Sequence, residues 1–189
     1  MAIYKNKAII VTAPSGAGKT TLVRYLLNTF PHLAFSISAT TRAIRNNEVD
    51  GLDYHFISIA DFKNKIKHKD FLEWEEVYPN NYYGTLLQQT LEVLEVQPII
   101  FDVDVMGAAR IKRYFKEEAL AIFVCPPSFE IMKERLRNRK TESDEKIAMR
   151  LKRVELEMTF QDSFDYKLIN DDLQKSLLQA ENIVRNFLG

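Results

Sequence analysis

Hydrophobic positions along the chain gather into short, nearly continuous runs separated by stretches with helical spacing. Four runs have strand character: Ala8–Thr12, Ile99–Val103, Leu120–Val124 and Lys167–Ile169, each bounded by turn or helix-start residues. The first three are continuous rather than alternating, the pattern of strands covered on both faces. Helical spacing follows at Thr20–Phe30, at Met106–Phe115 and, after Pro126-Pro127, at Ser128–Arg137, with Ser128 placed as an N-cap. A last helix, about Leu173–Leu188, repeats Leu177, Leu178, Ile183, Val184 and Phe187 at helical spacing. Strands alternating with helices predict an α/β fold with a central, mostly parallel sheet flanked by helices. Two stretches break the rhythm. Phe35 to about Tyr83 suggests short strands, turns and one helix, with Ser58 and Asp61 at capping-box spacing, and Asn138 to about Phe160 is charge-rich and helical. Both are expected to be excursions from one core, so residues 1–189 form a single predicted domain.

Composition narrows the functional classes. With 46% hydrophobic residues in 189, the chain can bury a core and is not mainly disordered. Twenty-six basic residues balance twenty-six acidic ones, which argues against a protein that holds duplex nucleic acid through its phosphate backbone. The single cysteine, Cys125, lies in an apolar run and reads as a buried, inert thiol. No apolar stretch approaches the roughly 18 residues of a membrane span, and Met1 to Lys7 lacks the apolar segment of a signal peptide. A cytoplasmic protein with no membrane partner is the expectation.

The segment Ala13-Pro14-Ser15-Gly16-Ala17-Gly18-Lys19-Thr20 carries the strongest chemistry. It follows the first predicted strand and opens a helix, the context a phosphate loop requires. Glycines let successive backbone N–H groups converge on phosphate oxygens, and the helix start adds partial positive charge. Lys19 would reach the terminal phosphates of a bound nucleotide, and the Thr20 hydroxyl would ligate Mg²⁺. Ala13 stands where the pattern usually has glycine; Pro14 pushes its predecessor towards extended geometry, where alanine is tolerated.

A second anion pocket is suggested by Ser36-Ile37-Ser38-Ala39-Thr40-Thr41-Arg42-Ala43-Ile44-Arg45, followed by Asp50-Gly51-Leu52-Asp53-Tyr54-His55-Phe56. Two guanidinium forks with tyrosine hydroxyls suit a dianionic phosphate, although alone the segment reads first as a solvated basic loop. Phe71-Leu72-Glu73-Trp74, Asn81-Tyr82-Tyr83-Gly84-Thr85 and Phe101-Asp102-Val103-Asp104-Val105-Met106-Gly107 then come in order, with Thr141-Glu142-Ser143 and Ile169-Asn170-Asp171-Asp172 after them. Taken together, these segments resemble the guanylate kinase family over essentially the whole chain. Two departures are Asn46-Asn47, where the family usually has Pro-Gly before the glutamate at Glu48, and Met106, where it often has Gln.

The resemblance implies a P-loop NTPase fold with a GMP-binding excursion at about residues 36–90 and a lid at about 126–158. It implies ATP-dependent phosphorylation of GMP to GDP, within purine nucleotide metabolism and GMP recycling. Ser38, Arg42, Arg45, Tyr54, Glu73, Tyr83, Thr85 and Asp104 fall on the family's GMP positions. Of these, Arg42, Arg45, Tyr54 and Tyr83 would take the phosphate; Ser38, Glu73, Thr85 and Asp104 would lie towards the base. Asp102 resembles the acid that positions Mg²⁺ through water, opposite Thr20. From Glu130 through Glu155 nine Lys/Arg face six Asp/Glu, on charge alone a solvated face. The resemblance makes Arg135, Arg139 and Arg150 catalytic arginines of the lid and puts Asn170 near the adenine of ATP.

Chemistry supports the base assignment, because a carboxylate accepts from both donors of guanine's Watson–Crick edge and finds an unprotonated N1 on adenine. Histidines His32, His55 and His68 form no catalytic constellation, and none is needed when the acceptor is already a phosphate oxyanion. Two other readings remain at this point: a scaffold-type guanylate kinase-like domain that binds peptides, and a kinase acting on a sugar phosphate. Retention of Lys19, Thr20 and Asp102 weighs against the first, and Glu73 with the tyrosines against the second. The sequence leaves monomer or homo-oligomer open.

Overall fold

The computed structural model describes residues 7–128, 130–132 and 144–189, with the side chains of 144–147 and 150 outside the description. Its central sheet has five strands, all parallel: β1 (Ala8–Thr12), β2 (Ala34–Phe35), β7 (Ile99–Asp102), β8 (Ala119–Cys125) and β9 (Tyr166–Ile169), in the order β2-β7-β1-β8-β9. β1 and β8 are buried at every position, as their unbroken apolar runs predict. Along β1 the faces alternate. Ile9 and Val11 join Leu22, Val23 and Leu26 of helix α1 (Lys19–Thr29) and Leu177, Ala180 and Val184 of α6 (Leu173–Leu188). Ala8 and Ile10 turn the other way, against Ala108 and Ile111 of α4 (Val105–Phe115).

The chain between β2 and β7 builds a second sheet, β4-β3-β6-β5, from β3 (Ala39–Thr40), β4 (His55–Phe56), β5 (Phe71–Tyr78) and β6 (Asn81–Leu86). Helix α2 (Ile59–His68) covers it through the fully buried Phe62, which stacks on Phe71 with ring centroids 4.3 Å apart. Ser58 caps α2 by accepting from the Asp61 N–H at 3.0 Å, but Asp61 meets the Ser58 hydroxyl instead of its backbone, so half of the expected capping box forms. A further helix, α3 (Leu87–Leu94), runs straight on from β6 and was not expected from the sequence.

Ser128 accepts from the Ile131 N–H at 3.2 Å and residues 130–132 are helical, in keeping with the expected cap. The remainder of that predicted helix lies outside the described residues. Helix α5 (Asp144–Met158) returns the chain to the core and buries Val154 and Glu157. In the parallel sheet β1 stands between β7 and β8, so its C-terminal end is where successive connections leave in opposite directions. Open parallel sheets bind ligands at such a point. Among the described residues no helix is long and apolar enough to cross a membrane.

Candidate active site

The turn after β1 folds as its glycines require. The Ala17 N–H donates to Pro14 O at 3.1 Å, and Gly16 and Gly18 take φ of 93° and 99°. Ala13 is not among the residues with positive φ, as the extended geometry before Pro14 predicts. Gly18 is the N-cap of α1, and no side chain caps that helix, so its first N–H groups remain available to an anion. Lys19 Nζ donates to Val103 O at 2.9 Å and lies 2.5 Å from Asp102 Oδ1. Asn170 supports the loop from beneath: its amide nitrogen donates to Ala17 O at 2.8 Å, and a Cβ on Gly18 would run into that same nitrogen.

A cavity of about 550 Å³ opens over this turn. On the loop side it is lined by Ala13, Pro14, Ser15, Gly16, Gly18, Lys19 and Thr20, and on the other side by Ser38, Tyr54, Glu73, Tyr83, Asp102 and Asp104. Glu73 shows how β5 serves the site. Strand alternation buries the carboxylate to 7% exposure and leaves its neighbour Trp74 39% exposed, the reverse of their hydropathies. Thr85 donates to Glu73 Oε1 at 2.7 Å across the β5–β6 ladder. Burial drives the Glu73 carboxyl up to about 7, Thr85 opposing and the charge of Asp104 adding to the rise. Asp104 is the N-cap of α4 and accepts from the Gly107 N–H at 2.8 Å. A Cβ on Gly107 would lie 2.8 Å from Glu73 Oε2, so any larger residue there would push the carboxylate aside.

Beside the cavity Arg42 is held on almost every side. Its Nη1 and Nη2 fork onto Glu48 at 2.8 Å each, Nη1 also reaches Ala43 O at 2.7 Å, and Nε donates to the Tyr83 hydroxyl at 3.2 Å. The fork raises the Arg42 pKa and holds the Glu48 carboxyl down at about 2. The Arg42 guanidinium lies 5.4 Å from the Tyr54 ring centroid, and the Tyr54 and Tyr83 rings meet edge to face at 5.9 Å. Arg45 is exposed; its backbone N–H, not its side chain, donates to Glu48.

The guanylate kinase family model matches residues 5–187. The chain belongs to the guanylate kinase family. It is 46% identical to the guanylate kinase of Salinibacter ruber over 96% of both chains, and 45% identical to that of Bacteroides thetaiotaomicron over 97% of this chain and 91% of the other. Among solved structures it resembles the guanylate kinase of Anaplasma phagocytophilum, with a TM-score of 0.77, 26% identity and coverage of 96% and 86%. Expectations of an α/β P-loop fold and of kinase activity stand on these matches; neither the scaffold-domain nor the sugar-phosphate reading gains support from them.

Family membership sharpens the account of individual residues. The loop residues, Ser38, Tyr54, Glu73, Tyr83, Asp102 and Asp104 share one cavity, with Thr85 and Arg42 directly behind it. Asn170, expected towards an adenine, is placed under the phosphate loop with its nitrogen already bonded there. Arg135 and Arg139 lie outside the described residues; Arg150 is on α5, and its side chain is outside the description. Sequence reasoning missed Glu75, Arg153 and Glu157, which also line the cavity. Two signals were available: Glu75 is two residues from Glu73 on one strand, and Arg153 and Glu157 are one turn apart on one helix. It also missed Glu48 as the partner of Arg42.

Proposed function

We propose that the chain carries out ATP + GMP → ADP + GDP by in-line transfer of the γ-phosphoryl group, and so returns GMP to the nucleotide pool. The observation that carries this reading is the single cavity in which a phosphate loop faces a buried carboxylate at the end of a tyrosine-lined wall. In this reading residues 13–20 cradle the ATP phosphates, and Lys19 exchanges Asp102 for the transferring group. Arg42, Arg45, Tyr54 and Tyr83 take the GMP phosphate; Glu73, Thr85, Asp104 and Ser38 meet the base. Glu73 accepts from guanine N1–H and the 2-amino group, which restores to the buried carboxylate the hydrogen bonds that burial removes. The acceptor needs no general base, so the chain contributes positioning, charge neutralisation and exclusion of water.

Mg²⁺ fits the residues present. The Thr20 hydroxyl and the Asp102 carboxylate are hard oxygen donors that line the same cavity, and Mg²⁺ is commonly held by one or two protein oxygens together with substrate phosphates. Thr20 and, through water, Asp102 would hold it, and the ion would neutralise charge on the phosphates. The roles of Arg135, Arg139 and Arg150 rest on the sequence resemblance alone.

The test is a coupled ADP-release assay with GMP, AMP, CMP and UMP offered in parallel. GMP is expected to exceed AMP by about 10³-fold or more in kcat/KM, since a site built to hydrogen-bond its substrate rejects analogues that leave its groups unpaired. Comparable rates with AMP, or none with GMP, would overturn the assignment.

A further inference from the structure

We propose that Arg153 is a positioning residue of the GMP site, holding Asp104 and Glu75 in register from helix α5. The proposal rests on the GMP-kinase reading above and deepens it.

The geometry is a three-way tie. Arg153 Nε donates to Glu157 Oε1 at 2.9 Å, one turn along the same helix. Its Nη2 lies 3.2 Å from Glu75 Oε1 on β5 and 3.3 Å from Asp104 Oδ2 at the start of α4. One planar guanidinium therefore joins three elements that reach the site from different parts of the chain. A lysine would bring the charge without the planar fork that reaches Glu157 through Nε and the other two through Nη2.

Charge explains why the tie matters. Among the described residues the cavity is lined by five carboxylates, Glu73, Glu75, Asp102, Asp104 and Glu157, and two cations, Lys19 and Arg153. Lys19 is engaged with Asp102, so Arg153 is the lining cation that meets Glu75, Asp104 and Glu157, while Arg110 outside the lining also favours the charged forms of Glu73 and Glu75. Asp104 has its Oδ1 committed to the Gly107 N–H, so Arg153 fixes the remaining oxygen. Glu75 Oε2 is buried with no hydrogen-bond partner in the described structure, so its other oxygen depends on Arg153. Without the guanidinium, Glu75 and Asp104 repel across the base end of the cavity, and Asp104 moves off the line on which Glu73 and guanine meet.

The perturbation is Arg153→Met, which keeps length and removes charge. KM for GMP is expected to rise about 10–50-fold while KM for ATP stays within about twofold and kcat within about threefold, the signature of lost substrate positioning. Arg153→Lys should be intermediate, at about threefold in GMP KM, because it restores charge without the fork. In a Glu75→Gln background the penalty of Arg153→Met should shrink to about threefold, since neighbouring partners couple. Equal shifts in both KM values, a change confined to kcat, or the same penalty with and without the Glu75 charge would overturn the proposal. If Arg153→Met does not fold, Arg153→Lys carries the test on the same split. A parent chain that fails to phosphorylate GMP defeats the function; a GMP-active parent whose variants lack the split defeats only the role of Arg153.

Discussion

Replacing Glu73 by Gln separates what this carboxylate costs the fold from what it gives the substrate. Desolvation moves its pKa from the ordinary 4.5 to about 7. An acid whose folded pKa exceeds its unfolded value binds its proton more tightly in the native state. Stability is then greatest below 4.5, declines across the interval up to 7 and stays reduced above it. A displacement of that size corresponds to about 3 kcal/mol. Glutamine keeps the acceptor that Thr85 needs and carries no charge to desolvate. The variant is therefore expected to be more stable than the parent at pH 8, by up to about 3 kcal/mol in urea unfolding, with the gap narrowing towards pH 5. GMP should suffer in the opposite sense, because the amide points donors at donors: its KM is expected to rise by about 10²-fold or more, with ATP little changed. In the parent, GMP KM should also climb by about tenfold per unit below pH 7 as Glu73 takes up its proton. The second ionisation of the nucleotide phosphate, near pH 6 by analogy with phosphorylated side chains, adds a limb that the variant retains. A glutamine variant less stable at pH 8, or one whose GMP KM does not move, would refute the reasoning.

Two further substitutions test the loop and the phosphate clamp. Gly18→Ala asks a φ of 99° of a residue with a Cβ and drives that Cβ into Asn170, so it should cost about 2 kcal/mol and roughly 4–8 °C in Tm, with a raised KM for ATP. A parent-like melting temperature would show that the loop relaxes freely. Glu48→Gln removes the charged fork that aims Arg42 and should raise GMP KM about tenfold without affecting ATP. A fall in GMP KM would show instead that Glu48 competes with the phosphate.

The core was legible because burial on both faces writes itself into strand sequence: β1, β8 and α6 begin and end within a residue of where their apolar runs place them. The second sheet was less so. Strands of two residues, such as β3 and β4, are too short for a period to show. Helix α3 was hidden because β6 passes into it with no breaker, Leu86 serving as N-cap without a side-chain bond. In the site, motif spacing located the loop, and the resemblance to guanylate kinases pointed to Glu73 and Asp104. Arg153 escaped because its partners on β5 and α4 are 78 and 49 residues away, and its one local signal, the one-turn spacing to Glu157, says nothing of a site. The bond of Asn170 to the phosphate loop was hidden for a similar reason, since its contact with Ala17 spans 153 residues.

Asp104 ends one account and begins another. As the N-cap of α4 it could be exchanged for Ser, Thr or Asn with little loss to the helix, for all of these start helices well. None of them offers a full negative charge to the Arg153 guanidinium on one side and, in the proposed reading, to the base of GMP on the other. Drift at this position would consequently be silent in a melting curve and audible in nucleotide choice. A lineage under pressure only to stay folded would lose discrimination here before it lost its shape.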